Sequence, residues 1–319
     1  MIDKARIVTT ACTQPHKNLA LEEALLASLA PHEAILFLWQ NRHTVVIGAG
    51  QNAWRECHVK RLQEDGGTLA RRSTGGGAVY HDLGNLNFSL IVPPEDYDVA
   101  RQSQVILRAV RSLGIDAERT GRNDLTAQGR KFSGNAFRVL KTGCLHHGTL
   151  LLHSDMEKVA RYLIVDPDKL KSKGVKSVPA RVINLCDLAP VTVDSMKEAM
   201  MEAFTHEYGA AKAEDAESID APGLDELIRR YESWEWNFAA SPAGGEQIYR
   251  RFPWGGVEIT AQVLRGRVEG CAVFTDSMDE TLKFRLEDAL EGVKWTGEAL
   301  YEAISPVNAD VALWLKETV

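Results

Sequence analysis

Residues 71–82, Arg-Arg-Ser-Thr-Gly-Gly-Gly-Ala-Val-Tyr-His-Asp, set three consecutive glycines behind paired arginines. Without a Cβ, such a run reaches φ > 0 conformations and can turn amide N–H groups toward an anion, while Arg71 and Arg72 offer forked positive charge. Taken alone, a glycine run is more often a flexible hairpin tip. A second cluster follows in Gly121-Arg-Asn-Asp124 and Gly129-Arg-Lys-Phe-Ser-Gly-Asn-Ala-Phe-Arg138. Here Lys131, between Arg130 and a Ser133-Gly134 turn, suits the gripping of oxygens that are negative in ground and transition states. Asn123 and Asp124 lie a few residues ahead, and Asp124 is a candidate partner for magnesium or for an ammonium group. His146 and His147 open a strand-like run, so their side chains point to opposite faces and at most one can share a pocket with Lys131.

Other chemistries lack their residues. The five cysteines (12, 57, 144, 186 and 271) form no CxxC pair, and His146, His147 and His153 lack zinc-ligand spacing. Neither G-x-x-x-x-G-K-[ST] nor G-x-S-x-G occurs. Thr44-Val-Val-Ile-Gly-Ala-Gly-Gln-Asn-Ala53 does satisfy strand followed by G-x-G-x-x-A, with Arg71-Arg72 about twenty residues on, as an NADP enzyme would have. A lone fingerprint of this kind is weak, and the chain lacks parallel βαβ periodicity.

These clusters need a scaffold. Asn18 can cap a helix running through Leu29, with Glu22 and Glu23 in its first turn and Pro31 beyond its end. Residues 34–39, 44–47, 87–92 and 147–152 read as strands, and 99–113 and 194–208 as helices ended by Gly114 and Gly209. Residues 257–264 and 267–274 flank Arg265-Gly266 as a hairpin, and three helical patterns finish the chain. Strands and helices mixed without regular alternation predict an α/β (α+β) protein. A catalytic domain over 1–240, a linker at 241–246 and a small α+β domain over 247–319 are the expected division.

At 319 residues, with 45% hydrophobic and 25% charged content, the chain has the composition of a globular protein. A net charge of -7 argues against a nucleic-acid partner, and no apolar run approaches the ~20 residues of a membrane span. The cysteine usage and the polar N-terminus, without a signal-like apolar run, lead us to expect a reducing, cytoplasmic setting. Charge is locally unbalanced at 168–181, where Lys169, Lys171, Lys173, Lys176 and Arg181 cluster, either as a solvated loop or as a cover for a phosphorylated ligand.

Taken together, these motifs resemble the lipoate-protein ligase A family of the biotin/lipoate ligase superfamily. The resemblance runs almost end to end, through Leu38–Gly48, Gln51-Asn52, Arg71–Asn85, Gly121–Asp124, Arg130–Ala136, His146–Leu152, Ser233–Phe238, Phe252–Gly256 and Val273–Ser277. It implies a ligase-like fold and an ATP-dependent activation of lipoate to lipoyl-AMP, followed by transfer to a lysine of a lipoyl carrier domain. The implied partners are E2 subunits of 2-oxoacid dehydrogenases and the glycine-cleavage H protein. By the same resemblance Lys131 is the catalytic residue, and Arg72, Gly77, Ala78, Val79 and Tyr80 join it around ATP. Ser73, Gly75, Gly76 and His147 join Lys131 around lipoate, Asn123, Asp124, Ser133 and Gly134 support them, and magnesium, for which Asp124 is the candidate ligand, would neutralise the pyrophosphate leaving group. The basic 168–181 stretch becomes a loop over the adenylate, and the C-terminal domain is expected to reorient between the two half-reactions. Ala49 departs from the pattern, since many relatives are basic there. An ATP-independent octanoyltransferase is the neighbouring alternative, but its cysteine nucleophile falls where this chain has Asn123-Asp124. A silent lipoyl-domain-binding protein is a further alternative, against which the intact Lys131 segment counts.

Overall fold

The computed structural model describes residues 2–121, 123–164, 181–238 and 246–319. Its main body is built on an eight-stranded sheet. In chain order the strands are β1 (Lys4–Thr9), β2 (Glu33–Trp39), β6 (Asn85–Val92), β7 (Glu118–Thr120), β8 (Asp124–Ala127), β9 (Arg130–Val139), β10 (Cys144–Leu151) and β11 (Ala211–Asp215). Their order across the sheet is β11-β1-β2-β6-β10-β9-β8-β7. Only β1 pairs in parallel, with β2 and β11; the other pairs are antiparallel. A smaller sheet, in the order β4 (Thr68–Arg71), β3 (Thr44–Ile47), β5 (Val79–His81), leaves β5 at an edge.

Strand alternation gives the large sheet two different faces. Leu36, Leu38, Leu86, Phe88 and Leu90 point one way, into a core closed by the helices Val99–Ser112 and Val193–Tyr208. Residues 35, 37 and 39 point the other way, with α1 (Pro15–Ala27) packed against them. On that second face the buried strand β6 carries Asn85, Asn87 and Ser89, each at most 1% exposed. Three polar side chains in period two on a fully buried strand need partners or a ligand.

The helix α1 starts earlier than the sequence suggests. Pro15 occupies its first turn, where a missing N–H costs nothing. Asn18 is therefore inside the helix and does not cap it: its amide donates to the carbonyls of Cys12 and Gln40 and to Asn41 Oδ1. Glu22, correspondingly, is buried rather than in a solvated first turn. The predicted strands and the helices over 99–113 and 194–208 agree with the structure to within a few residues at their ends.

Residues 246–319 carry their own core. An antiparallel sheet of β12 (Glu246–Phe252), β13 (Gly255–Leu264) and β14 (Arg267–Thr275) packs on three helices, Leu282–Leu290, Gly297–Ile304 and Ala309–Thr318. Arg265 and Gly266 both have positive φ, at 52° and 74°, as the tight hairpin between β13 and β14 requires. The expected linker, 241–246, lies outside the described residues apart from Glu246.

Candidate active site

A cavity of about 1390 Å³ opens between the polar face of the large sheet, the small sheet and the C-terminal unit. Its lining includes Arg72, Gly76, Gly77, Ala78, Val79, Tyr80, Asn123, Asp124, Lys131, Gly134 and His147. Ser73, Gly75 and Ser133, the other expected site residues, are not among the lining residues.

Lys131 reaches the cavity through a β-bulge. On β9, Gly134 faces Asp124 and Ser133 faces Leu125, but Thr126 then pairs with Lys131, so Phe132 is skipped. The extra residue shifts the side-chain phase, and Lys131 comes to lie on the same face as Gly134 while Phe132 is buried in the opposite core. Gly134 also makes room: a Cβ there would stand 2.8 Å from Lys131 Nζ. The ammonium meets Asp124 Oδ1 at 2.7 Å, and Arg181 donates to Asp124 Oδ2 at 2.8 Å. Arg181 is held in place because the segment it starts is stitched to β9, with Ile183 N–H donating to the Lys131 carbonyl at 2.9 Å and Arg130 donating to the Val182 carbonyl. A half-buried carboxylate thus sits between two cations. The rest of the basic stretch, 168–180, lies outside the described residues.

The glycine loop is set by close approach more than by anion binding. A Cβ on Gly75 would overlap the Ser277 carbonyl, and Gly76, at φ +90°, donates its N–H to that carbonyl at 3.0 Å. An amide expected to face an anion therefore bonds the C-terminal unit. The dinucleotide-like glycines have similar reasons: a Cβ on Gly48 would overlap the Gly76 carbonyl, and the Gly50 carbonyl accepts from Thr275 N–H. The paired arginines divide in role. Arg71 is consumed by structure, donating to the carbonyls of Gly48, Ala49, Gln51, Trp236 and Asn237. Arg72 lines the cavity while donating to Thr74 Oγ1 and to the Gly75 and Gly77 carbonyls. Burial lowers both guanidinium groups to about 10, which still leaves them charged at neutral pH.

Beneath the loop lies a chain of buried polar contacts that sequence reasoning missed. Glu22 Oε1 accepts from Ser89 Oγ and meets His147 Nδ1 at 2.8 Å; His147 Nε2 meets Thr74 Oγ1 at 2.8 Å, and Arg72 reaches the same hydroxyl. The glycine loop is thereby tied to α1 and to β10. His146, on the other face, bonds Asn135 Oδ1, and burial depresses it to about 3, a structural role. Tyr80 packs against Tyr162, and β5 stands at the edge of the small sheet.

Two expectations concern groups the site would need. Both oxygens of Asp124 are engaged by cations, and no group of three or more His, Cys, Asp or Glu side chains stands ready for a metal among the described residues. No cysteine lines the cavity, and burial raises the Cys57 thiol to about 12 and the Cys144 thiol above its usual value. No helix among the described residues is long and apolar enough to cross a membrane.

Residues 14–205 match the family model of the lipoyl protein ligase A/B catalytic domain, and residues 241–314 match that of the bacterial lipoate protein ligase C-terminus. Among solved structures, LipL1 of P. falciparum in complex with lipoate superposes with a TM-score of 0.87 at 28% identity, over 98% of this chain and 99% of that one. A bipartite lipoate protein ligase with its E2 lipoyl domain, from Thermoplasma acidophilum, gives 0.65 at 29% identity over 74% of this chain and 96% of that one. A lipoate-protein ligase A bound with ATP gives 0.61 at 28% identity, over 75% and 99%.

Proposed function

The chain belongs to the lipoyl protein ligase A/B family, and we propose that it joins lipoate to ATP as lipoyl-AMP and then passes the lipoyl group to a lysine of a carrier domain. The observation that carries this reading is the Lys131–Asp124–Arg181 cluster on the lining of the cavity. A carboxylate attacking a phosphate is opposed by like charge. Two cations already spaced to hold one carboxylate can hold the reacting oxygens of both partners once Asp124 releases them. In the first step the lipoate oxygen bonds the α-phosphorus and pyrophosphate departs. In the second the carrier amine bonds the acyl carbon, AMP departs, and the amine loses its extra proton.

Each remaining residue has a part in that scheme. Lys131 bridges the acid and the α-phosphate; Arg72 and the Gly77–Tyr80 edge receive the nucleotide; Gly76 and His147 border the acyl group. Asn123 holds the turn ahead of the site through reciprocal bonds, its amide donating to the Asn135 carbonyl and the Asn135 amide to its own. Asp124, once Lys131 and Arg181 turn to the substrates, is the candidate ligand for magnesium, which would supply positive charge to the departing pyrophosphate; no step is routed through the metal. The E2-type lipoyl domains and the H protein are the proposed acceptors, and residues 247–319 the proposed accessory domain. A thioester route to the same product is disfavoured by the lack of a cysteine along the cavity. Lipoate-dependent exchange of pyrophosphate into ATP is the test. A folded preparation that shows no exchange, yet transfers an acyl group from a carrier thioester without ATP, refutes the ligase reading.

A further inference from the structure

His81 lines the cavity, 3% exposed, and its Nε2 has no partner among the described residues. Its protonation pattern follows from a chain of neighbours. The Cys12 and Gln40 carbonyls can only accept, so the Asn18 atom between them is its NH2 group. That group also donates to Asn41, so the Asn41 atom it meets is the oxygen, and the Asn41 NH2 then faces His81 Nδ1 at 3.2 Å. Nδ1 accepts; the ring proton therefore stands on Nε2. Burial, with Arg72 and His147 nearby, pushes His81 down to about 3, so the ring stays neutral at working pH. Asn87, also on the lining, accepts from Asn85 through Oδ1 and leaves Nδ2 without an acceptor among the described residues.

The large sheet gives the distance from these donors to Lys131. Gly134, beside the ammonium, donates its N–H to Thr149 Oγ1 on the next strand; Thr149 pairs with Asn87, and Asn87 with Trp39. Trp39 meets His81 edge-on at 6.3 Å between ring centroids. Asn87 thus lies two strand-to-strand steps, roughly 10 Å, from Gly134, and His81 stands beside Trp39 of the third strand along. An extended eight-carbon acid is about 10 Å long, so its distal end reaches this part of the cavity when its carboxylate is at the ammonium.

We propose that His81 Nε2–H, with Asn87 Nδ2, reads the distal end of the bound acid and selects an eight-carbon acid carrying sulfur acceptors there over its saturated counterpart. This rests on the acid-activation reading above. A buried donor left facing a methyl group stays unsatisfied, whereas a ring sulfur gives it an acceptor, if a weak one.

The test is calorimetric titration of the full chain with lipoate and with octanoate, without ATP, for the native protein and for His81→Leu. The native protein should favour lipoate, and the substitution should lower the lipoate-to-octanoate affinity ratio about fivefold. An unchanged ratio overturns the inference. A readout that needs no variant is the ¹⁵N spectrum of the native histidines. His81 should report the Nε2–H form, and that signal should move with lipoate more than with octanoate; an Nδ1–H form, or equal movement, overturns it. A native protein that binds neither acid removes the ligase reading and this inference together, whereas one that binds both alike removes only this inference.

Discussion

Replacing Lys131 by Met separates the chemistry of the site from its stability. The side chains of Lys131 and Asp124 are 22% and 15% exposed, so their ion pair is partly screened. Asp124 keeps Arg181 at 2.8 Å after the substitution, so no carboxylate is left unpaired. The methionine stem still covers the aliphatic ground of the lysine. Stability should therefore change by no more than about 1 kcal/mol, the usual range of a partly exposed pair. Activity should respond differently, because the ammonium acts on charge that builds only as the carboxylate reaches phosphorus. Loss of one such contact costs about 3–4 kcal/mol, or roughly 10²–10³ in rate. Both halves of the reaction should fall, measured as pyrophosphate exchange and as lipoyl transfer from preformed lipoyl-AMP, with thermal melting as the control for folding. A Lys131→Met protein that melts normally and retains exchange within tenfold of the native rate would refute the role given to the ammonium. Asp124→Asn supplies the opposite perturbation. It leaves Lys131 and Arg181 facing each other without the carboxylate between them, and the melting temperature should drop.

Glu22→Leu strips the buried His147 and Ser89 of their shared acceptor, at about 1–3 kcal/mol for an unsatisfied group, while Glu22→Gln keeps an oxygen there and should cost less; chemical denaturation distinguishes the two. Cys144→Ser should leave exchange and transfer near normal and lower the melting temperature, since it buries a hydroxyl in an apolar core; inactivation would mean that a thiol takes part in the chemistry. His81 and His146 are both depressed to about 3, so the unfolded chain takes up their protons below about 6.5 and the native protein does not. Their contribution is complete above pH 6.5 and is lost as pH falls toward 3, at about 1.4 kcal/mol per pH unit for each group. Melting against pH should show that decline, and His146→Gln should make it shallower; an unaltered slope would contradict the assignment.

Much of the site is legible in the residues, though for different reasons. Lys131, Asp124 and the glycine run stand out because their types are costly to place together without a use. The pattern Asn-Leu-Asn-Phe-Ser-Leu at 85–90 carries an equally clear signal, polar and apolar in strict alternation, yet it suggests an ordinary half-solvated strand. Only the packing shows that both faces are buried and that the polar one faces a cavity. Glu22 is harder to find, because a glutamate near a helix start has a routine explanation in the macrodipole. Its burial depends on the helix beginning at Pro15 instead of Asn18, a matter of three residues. The bulge at Phe132 is set by pairing between β8 and β9, so no local pattern in β9 announces that Lys131 and Gly134 share a face. The two arginines are adjacent and chemically identical, and which one lines the cavity is decided by carbonyls more than 150 residues away in sequence, at Trp236 and Asn237.

The seam between the glycine loop and the C-terminal unit has an unusual vocabulary. Thr275 N–H meets the Gly50 carbonyl at 2.5 Å and Gly76 N–H meets the Ser277 carbonyl at 3.0 Å, main chain to main chain in both directions. Such a join is written in backbone geometry and is nearly blind to the side chains that border it. Alanine scanning of residues 275–277 should therefore pass over these two contacts. Proline at position 275, or any side chain at Gly75, would break the seam by removing the donor or forcing the carbonyl away.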